Sequence, residues 1–123
     1  MSRLVLVVED DPDQRRLLER MLAGSGWRVT TAPDGEAGLA SARNHPPDAI
    51  VLDVMMPRLN GYQTCRQLKA DPATAAIPVV MCTSKDQPAD QYWATEVGAD
   101  AFLAKPEDIQ RLVQMLERLT EPR

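Results

Sequence analysis

The chain lacks any early apolar run long enough to cross a bilayer: the longest, "LVLVV" at 4 to 8, stops at "EDD", whereas a helical span needs about 20 apolar residues. The same brevity excludes a signal-peptide core, so a cytoplasmic location is the default expectation. A basic block is also missing. The 14 Lys and Arg residues are scattered among 18 Asp and Glu, for a net charge of -4, so direct binding to nucleic acid or to an anionic membrane is not expected. Histidine is nearly absent. His45 is the single one, precedes Pro46 and Pro47, cannot belong to a multi-histidine metal site, and reads as an exposed loop residue. The two cysteines, Cys65 and Cys82, fit no metal spacing; Cys82 sits inside the apolar "PVVMC", and both are expected to be reduced, packed thiols. No internal repeat, low-complexity tract or linker divides the chain, and one domain over residues 1–123 is expected.

What is present is a regular alternation. Hydrophobic residues make up 44% of the chain, enough for a core at this length. Five short apolar segments read as strands: "RLVLVV" (3 to 8), "RVTTA" (28 to 32), "AIVLD" (49 to 53), "PVVMC" (78 to 82) and "AFLA" (101 to 104). Between them lie stretches with helical spacing, such as Leu17, Leu18, Met21 and Leu22, and later Ile109, Leu112, Val113, Leu116 and Leu119. Asp11 can cap the first helix, with Pro12 at its first position and Gln14 completing a capping box; Gly24 and Gly26 can end it, Asn60 can cap the third helix and Gly98 can close the fourth. Alternating elements, with the first and third strands apolar on both faces, predict a doubly wound α/β fold: a parallel sheet covered by helices on both sides.

In such a sheet ligands bind beyond the carboxyl ends of the strands. The first strand ends in Glu9, Asp10 and Asp11, the third in Asp53, the fourth in Thr83 and Ser84, and the fifth in Lys105. Clustered carboxylates repel unless a cation or shared protons intervene. A hard divalent cation such as magnesium, which takes oxygen ligands, is the economical answer, with Glu9, Asp10 and Asp53 as its acids. Lys105 can offset charge and meet an anion, and the Thr83 hydroxyl can donate to that anion. This is equipment for phosphoryl transfer, with Asp53 the candidate nucleophile. Each residue has a plainer reading: Asp11, and Asp10 too, as helix caps, Lys105 as a loop lysine, Thr83 as a strand-end residue bonded to backbone. The convergence of complementary groups at four strand ends favours the joint reading.

These residues also carry a resemblance. "VVEDDP", "LDVMMP", "NGY", "MCTS" and "FLAKP", in this order and spacing, resemble the receiver domain of two-component response regulators over essentially the whole chain. The resemblance implies a (βα)5 flavodoxin-like fold with a five-stranded parallel sheet in the order 2-1-3-4-5. It implies Asp53 as the phosphoacceptor, and Glu9, Asp10, Asp53 and the backbone carbonyl of Met55 as ligands of Mg2+. By the same likeness Thr83 is the switch hydroxyl, Phe102 the switch aromatic and Lys105 the lysine that contacts the phosphoryl group. Pro106 matches a proline whose preceding peptide bond is often cis in the family. Three positions depart from the commonest pattern: Glu9 where aspartate is frequent, Phe102 where a tyrosine would carry a hydroxyl, and Glu107 where an aromatic is usual. Within the family, "TSKDQPADQYW" and "NGYQTCRQLKADPATAAIPV" are similar to single-domain regulators of chemosensory systems controlling type IV pili, twitching motility or phototaxis.

The implied activity is a switch in two-component signal transduction. A histidine kinase or phosphotransfer protein supplies the phosphoryl group, the domain catalyses only its own phosphorylation and dephosphorylation, and a downstream target meets the last two strands and the adjoining helices. Lys85, Tyr92 and Trp93 are candidate contacts there, with packing expected for much of the Trp93 ring; Trp27 is assigned to packing outright. The alternatives are a phosphate sink for a shared kinase, an unphosphorylated binding module, or a small aspartyl-phosphate phosphohydrolase. The last resembles D-x-D-x-T after the first strand, which Asp53-Val54-Met55-Met56 does not match.

Overall fold

The computed structural model describes residues 3–83, 88–104 and 109–121. The elements alternate in chain order: β1 (Leu4–Val8), α1 (Pro12–Gly24), β2 (Arg28–Ala32), α2 (Gly35–Asn44), β3 (Ala49–Asp53), α3 (Gly61–Ala70), β4 (Val79–Thr83), α4 (Pro88–Glu96), β5 (Ala101–Ala104) and α5 (Ile109–Thr120). All strand pairs are parallel, in the order β2-β1-β3-β4-β5. The expected doubly wound α/β fold and its strand order are both realised. β4 starts one residue later than the apolar pattern implies, because Pro78 has no N–H for the ladder; its carbonyl accepts from Ile50 at 2.9 Å instead.

Successive residues of a strand point to opposite faces, and the apolar runs of β1, β3 and β4 therefore build two cores at once. On one face Leu6, Val8, Ile50, Leu52 and Met81 pack with Leu39 of α2, Cys65 and Leu68 of α3, Ala94 of α4 and Val97 just beyond it. On the other, Val5, Val7, Val51 and Val80 pack with Leu18 and Leu22 of α1 and Leu112 and Leu116 of α5. Leu22, Leu112 and Leu116 are wholly buried, each contributing about 1.5–3 kcal/mol relative to an exposed side chain. Trp27 is buried in this second core, as expected, and Cys65 and Cys82 are buried thiols outside any disulfide. His45 is exposed at the end of α2. The edge strands β2 and β5 are only partly covered, and β2, RVTTA, is the least apolar of the five.

Helix ends follow from local chemistry. Asn60 and Gln63 form a reciprocal capping box on α3. Gly26, at φ 95°, and Gly98, at φ 88°, adopt the left-handed conformation that ends α1 and α4. Asp11 caps α1, but by accepting from the N–H of Asp13 at 3.0 Å rather than through a box with Gln14. The amide of Asp11 that the box requires is donated to the Glu9 carboxylate instead, at 3.2 Å.

At the amino ends of the strands two aspartates close the ladder with their side chains. Asp48, just before β3, donates its N–H to Leu4 O at 2.7 Å and accepts from Leu4 N–H at 2.7 Å on Oδ2. Asp100, just before β5, repeats the exchange with Val79 at 2.9 and 2.8 Å. Lys69 of α3 locks the second pair: its Nζ donates to Asp100 Oδ2 at 2.9 Å and to the carbonyls of Ile77 and Ala75 at 2.8 and 3.2 Å. At the carboxyl ends the strand order has a different consequence. The chain leaves β1 outward to β2 and returns on the other side to β3, so the ends of β1 and β3 flank the point where the winding reverses.

Candidate functional site

Glu9 is the first residue beyond β1. Its N–H donates to Ala32 O at 3.1 Å, carrying the β1–β2 ladder one step past the strand and burying the side chain to 1% exposure. Asp10 follows in solvent-accessible backbone. Asp53, the last residue of β3, is also buried, at 5%. One carboxylate oxygen from each of the three lies within 4.8 Å of the others. Unit charges at such separations repel by about 3 kcal/mol per pair at an effective dielectric of about 20. The donor set is oxygen only, with neither imidazole nor thiolate in the cluster, which suits a hard divalent cation such as magnesium.

The loop from Asp53 to α3 is held close to the sheet. Gly61 N–H donates to Val54 O at 2.9 Å, and a Cβ at Gly61 would collide with Asp53 O and approach Val54 Cα to 2.7 Å. Only glycine lets the first turn of α3 approach this backbone. Within the loop the Met55 side chain is 52% exposed and Met56 is buried. Arg58, at φ 64°, reaches Asp34 Oδ2 at 3.3 Å, the same carboxylate that caps α2. Tyr62 ties the start of α3 to the first turn of α4, donating to Asp90 Oδ1 at 3.0 Å and lying 3.3 Å from Asp90 O. Burial pushes the Tyr62 phenol up to about 12, and the neighbouring Asp90 carboxylate adds to the rise.

Glu9, Asp10 and Asp53, separate in the sequence, thus converge. Thr83 is wholly buried at the end of β4, one residue beyond Cys82, the register partner of Asp53. Phe102 opposes Met81, and Thr83 opposes Ala104, so Thr83 and Phe102 share a sheet face as diagonal neighbours on adjacent strands. The Phe102 ring is half-buried against the α2–α4 core. Ser84, Lys85, Lys105, the Lys105–Pro106 bond and Glu107 lie outside the described residues. The Trp93 ring is 49% exposed and packs edge-to-face on Tyr92, centroids 5.4 Å apart, less packed than its sequence suggested. Ala94 of α4 and Val97 just beyond it are the buried positions of this segment, and position 93 lies off them.

Sequence reasoning missed Arg15. Its Nη1 donates to Glu9 O at 2.9 Å and lies 3.5 Å from Asp10 O. A signal was available: a cation in the first turns of a helix opposes the dipole and calls for a local partner. The Tyr62–Asp90 and Lys69–Asp100 pairs were missed as well, because nothing in a linear pattern pairs residues on different helices and loops.

Comparison with known proteins agrees with this architecture. The family profile described as "Response regulator receiver domain" matches residues 5–117. Protein PilH of Pseudomonas aeruginosa is 41% identical over 112 residues, covering 91% of this chain and 93% of PilH. Response regulator PleD of Caulobacter vibrioides is 45% identical over 120 residues, which is 98% of this chain but 26% of PleD. Among solved structures, chemotaxis protein CheY4 of Vibrio cholerae superposes with a TM-score of 0.90 at 29% identity, covering 97% of this chain and 99% of that one. The receiver domain of the sensor histidine kinase PA1611 of Pseudomonas aeruginosa, solved with a magnesium ion coordinated in its active-site cleft, superposes with a TM-score of 0.90 at 31% identity over 98% of both chains.

Proposed function

The chain belongs to the response regulator receiver domain family of two-component systems, and from this premise we propose that Asp53 accepts a phosphoryl group from the phosphohistidine of a histidine kinase or phosphotransfer protein. The observation that carries the reading is the convergence of Glu9, Asp10 and the buried Asp53 at the reversal point of the sheet, with Thr83 ending the next strand. An Asp53 carboxylate oxygen attacks phosphorus, the P–N bond to the partner's imidazole breaks, its electron pair stays on the imidazole nitrogen, and an acyl phosphate remains on Asp53. A magnesium ion held by Glu9, Asp10, Asp53 and the Met55 carbonyl would neutralise the oxygens that gather charge during transfer. Thr83 donates its hydroxyl proton to a phosphoryl oxygen and Lys105 supplies a positive charge. Water then attacks phosphorus, the bond from phosphorus to the Asp53 oxygen breaks, and inorganic phosphate leaves the free carboxylate behind, so the domain catalyses both steps on itself.

The new group adds about −1.5 to −2 charge and strong acceptor oxygens. Drawing Thr83 toward them vacates space beside its diagonal neighbour Phe102, whose half-buried ring moves inward. A two-state equilibrium is thereby biased, with the readout on β4, β5 and the helices beside them, where Tyr92 and Trp93 are exposed. The likeness to chemotaxis protein CheY4 supports a chemosensory setting, of which a pilus motility pathway is one form, with drainage of a shared kinase as the alternative purpose. The test is labelling by acetyl phosphate or a phosphorylated kinase with Mg2+ present. The wild type is labelled and Asp53→Asn is not; persistent labelling of that variant overturns the assignment.

A further inference from the structure

We propose that Arg15 is a positioning residue for divalent-cation binding: its guanidinium holds the Glu9–Asp10 backbone so that both carboxylates converge with Asp53. The inference rests on the cation reading above and adds a residue behind the ligands. Arg15 lies one turn into α1 and is half-buried. Its Nη1 donates to Glu9 O at 2.9 Å, a charge-assisted bond, and makes a weaker approach to Asp10 O at 3.5 Å. The backbone amide of Arg15 donates to Asp11 O at 2.9 Å. One residue thus engages the carbonyls of Glu9, Asp10 and Asp11, while Asp11 N–H holds Glu9 Oε2 at 3.2 Å. The loop is fixed from its carbonyl side, which leaves the Glu9, Asp10 and Asp53 carboxylates to face one another within 4.8 Å.

Two effects of Arg15 on a cation have opposite sign, and this makes the inference decidable. As a bare positive charge near the cluster, Arg15 weakens cation binding, and its removal should tighten it. As a positioning residue, Arg15 narrows the spread of loop conformations, and its removal should weaken binding. Residues behind metal ligands typically contribute 10–100-fold in affinity. Positioning must also discriminate between ions. Mg2+ demands near-ideal octahedral geometry at short range, whereas Ca2+ accepts irregular coordination at longer distances. A loosened loop therefore harms Mg2+ more than Ca2+, and neither a charge effect nor a global loss of stability predicts that split.

The experiment is calorimetric titration of Mg2+ and of Ca2+ into the wild type, Arg15→Ala and Arg15→Gln, with melting in EDTA to verify folding. Arg15→Ala is expected to weaken Mg2+ binding about tenfold and Ca2+ binding about threefold or less. Arg15→Gln, which removes the charge but keeps a donor, is expected to fall between Arg15→Ala and the wild type, and it decides the matter if Arg15→Ala does not fold. Unchanged or tighter Mg2+ binding in the variants, or equal losses for the two ions, would overturn the inference while leaving the cation site standing. Failure of the wild type to bind Mg2+ would overturn the cation reading and this inference with it.

Discussion

At the amino ends of the strands, Asp48 and Asp100 each give a carboxylate oxygen to the first amide of a neighbouring strand; at the carboxyl ends, Glu9, Asp10 and Asp53 bring oxygens within 4.8 Å of one another. Both ends of one sheet are acidic, and the difference lies in what the acids face. Strand amides and Lys69 occupy the carboxylates at the amino ends, so those acids stabilise the fold. At the carboxyl ends the acids crowd one another, and on the reading proposed above a bound cation would relieve that crowding. The same residue type therefore closes strand ladders at one end and, on that reading, holds a cation at the other.

The largest expected effect comes from breaking the carboxyl end through its backbone. Gly61→Ala places a methyl group against Asp53 O and Val54 Cα, and should destabilise the protein by about 3 kcal/mol in urea titration while lowering phosphorylation of Asp53. Breaking the amino end should separate the two roles. Lys69→Met removes the donor to Asp100, Ile77 and Ala75 and should cost about 2 kcal/mol, with the rate of labelling by acetyl phosphate unchanged.

Sharpening the comparison calls for the opposite sign. Asp10→Asn removes one of the three clustered charges and should raise stability in EDTA by about 1 kcal/mol. The stabilisation that Mg2+ confers on the wild type should shrink in the same variant. A loss of stability in EDTA would show that the carboxyl-end acids are as structural as those at the amino end.

A smaller, pH-dependent effect belongs to the flank between the two ends. Burial pushes the Cys65 thiol up to about 11 from 9.0. The folded state then holds the proton more tightly than the unfolded state, so the contribution is complete below pH 9 and disappears as pH rises from about 9 to about 11. Cys65→Ser, whose hydroxyl does not titrate in this range, should flatten that part of the stability profile in denaturant titrations across it. The smallest effect concerns Asp71, whose carboxyl is held below 3.8 mainly by the backbone amide of Ala73 and then by Arg43. Its contribution is present above pH 4 and fades as pH falls through the lowered value; Arg43→Ala should reduce that acid sensitivity.

Element type and most of the strand and helix limits were legible in the sequence because they depend on local periodicity and on caps such as Asn60, Gly26 and Gly98. The Gln14 box failed for a tertiary reason: Glu9, fixed by the β1–β2 ladder, takes the Asp11 amide. Glu9, Asp10, Asp53 and Thr83 were legible as strand-end residues. Arg15 and Lys69 looked like ordinary surface cations, since the carbonyls they meet are groups every residue has and the Asp100 partner of Lys69 lies far along the chain. Tyr62 and Asp90 sit on different helices, and no spacing rule links them.

By itself, the sequence determined where apolar runs stop and which polar residue follows each, because side-chain burial and helix capping act over a few residues. The tertiary structure alone decided which of those endpoints become neighbours. Parallel pairing of β1 with β3, made possible by helical crossovers that bury both sheet faces, sets Asp53 beside Glu9 and Asp10, whose backbone carbonyls meet the Arg15 guanidinium of α1.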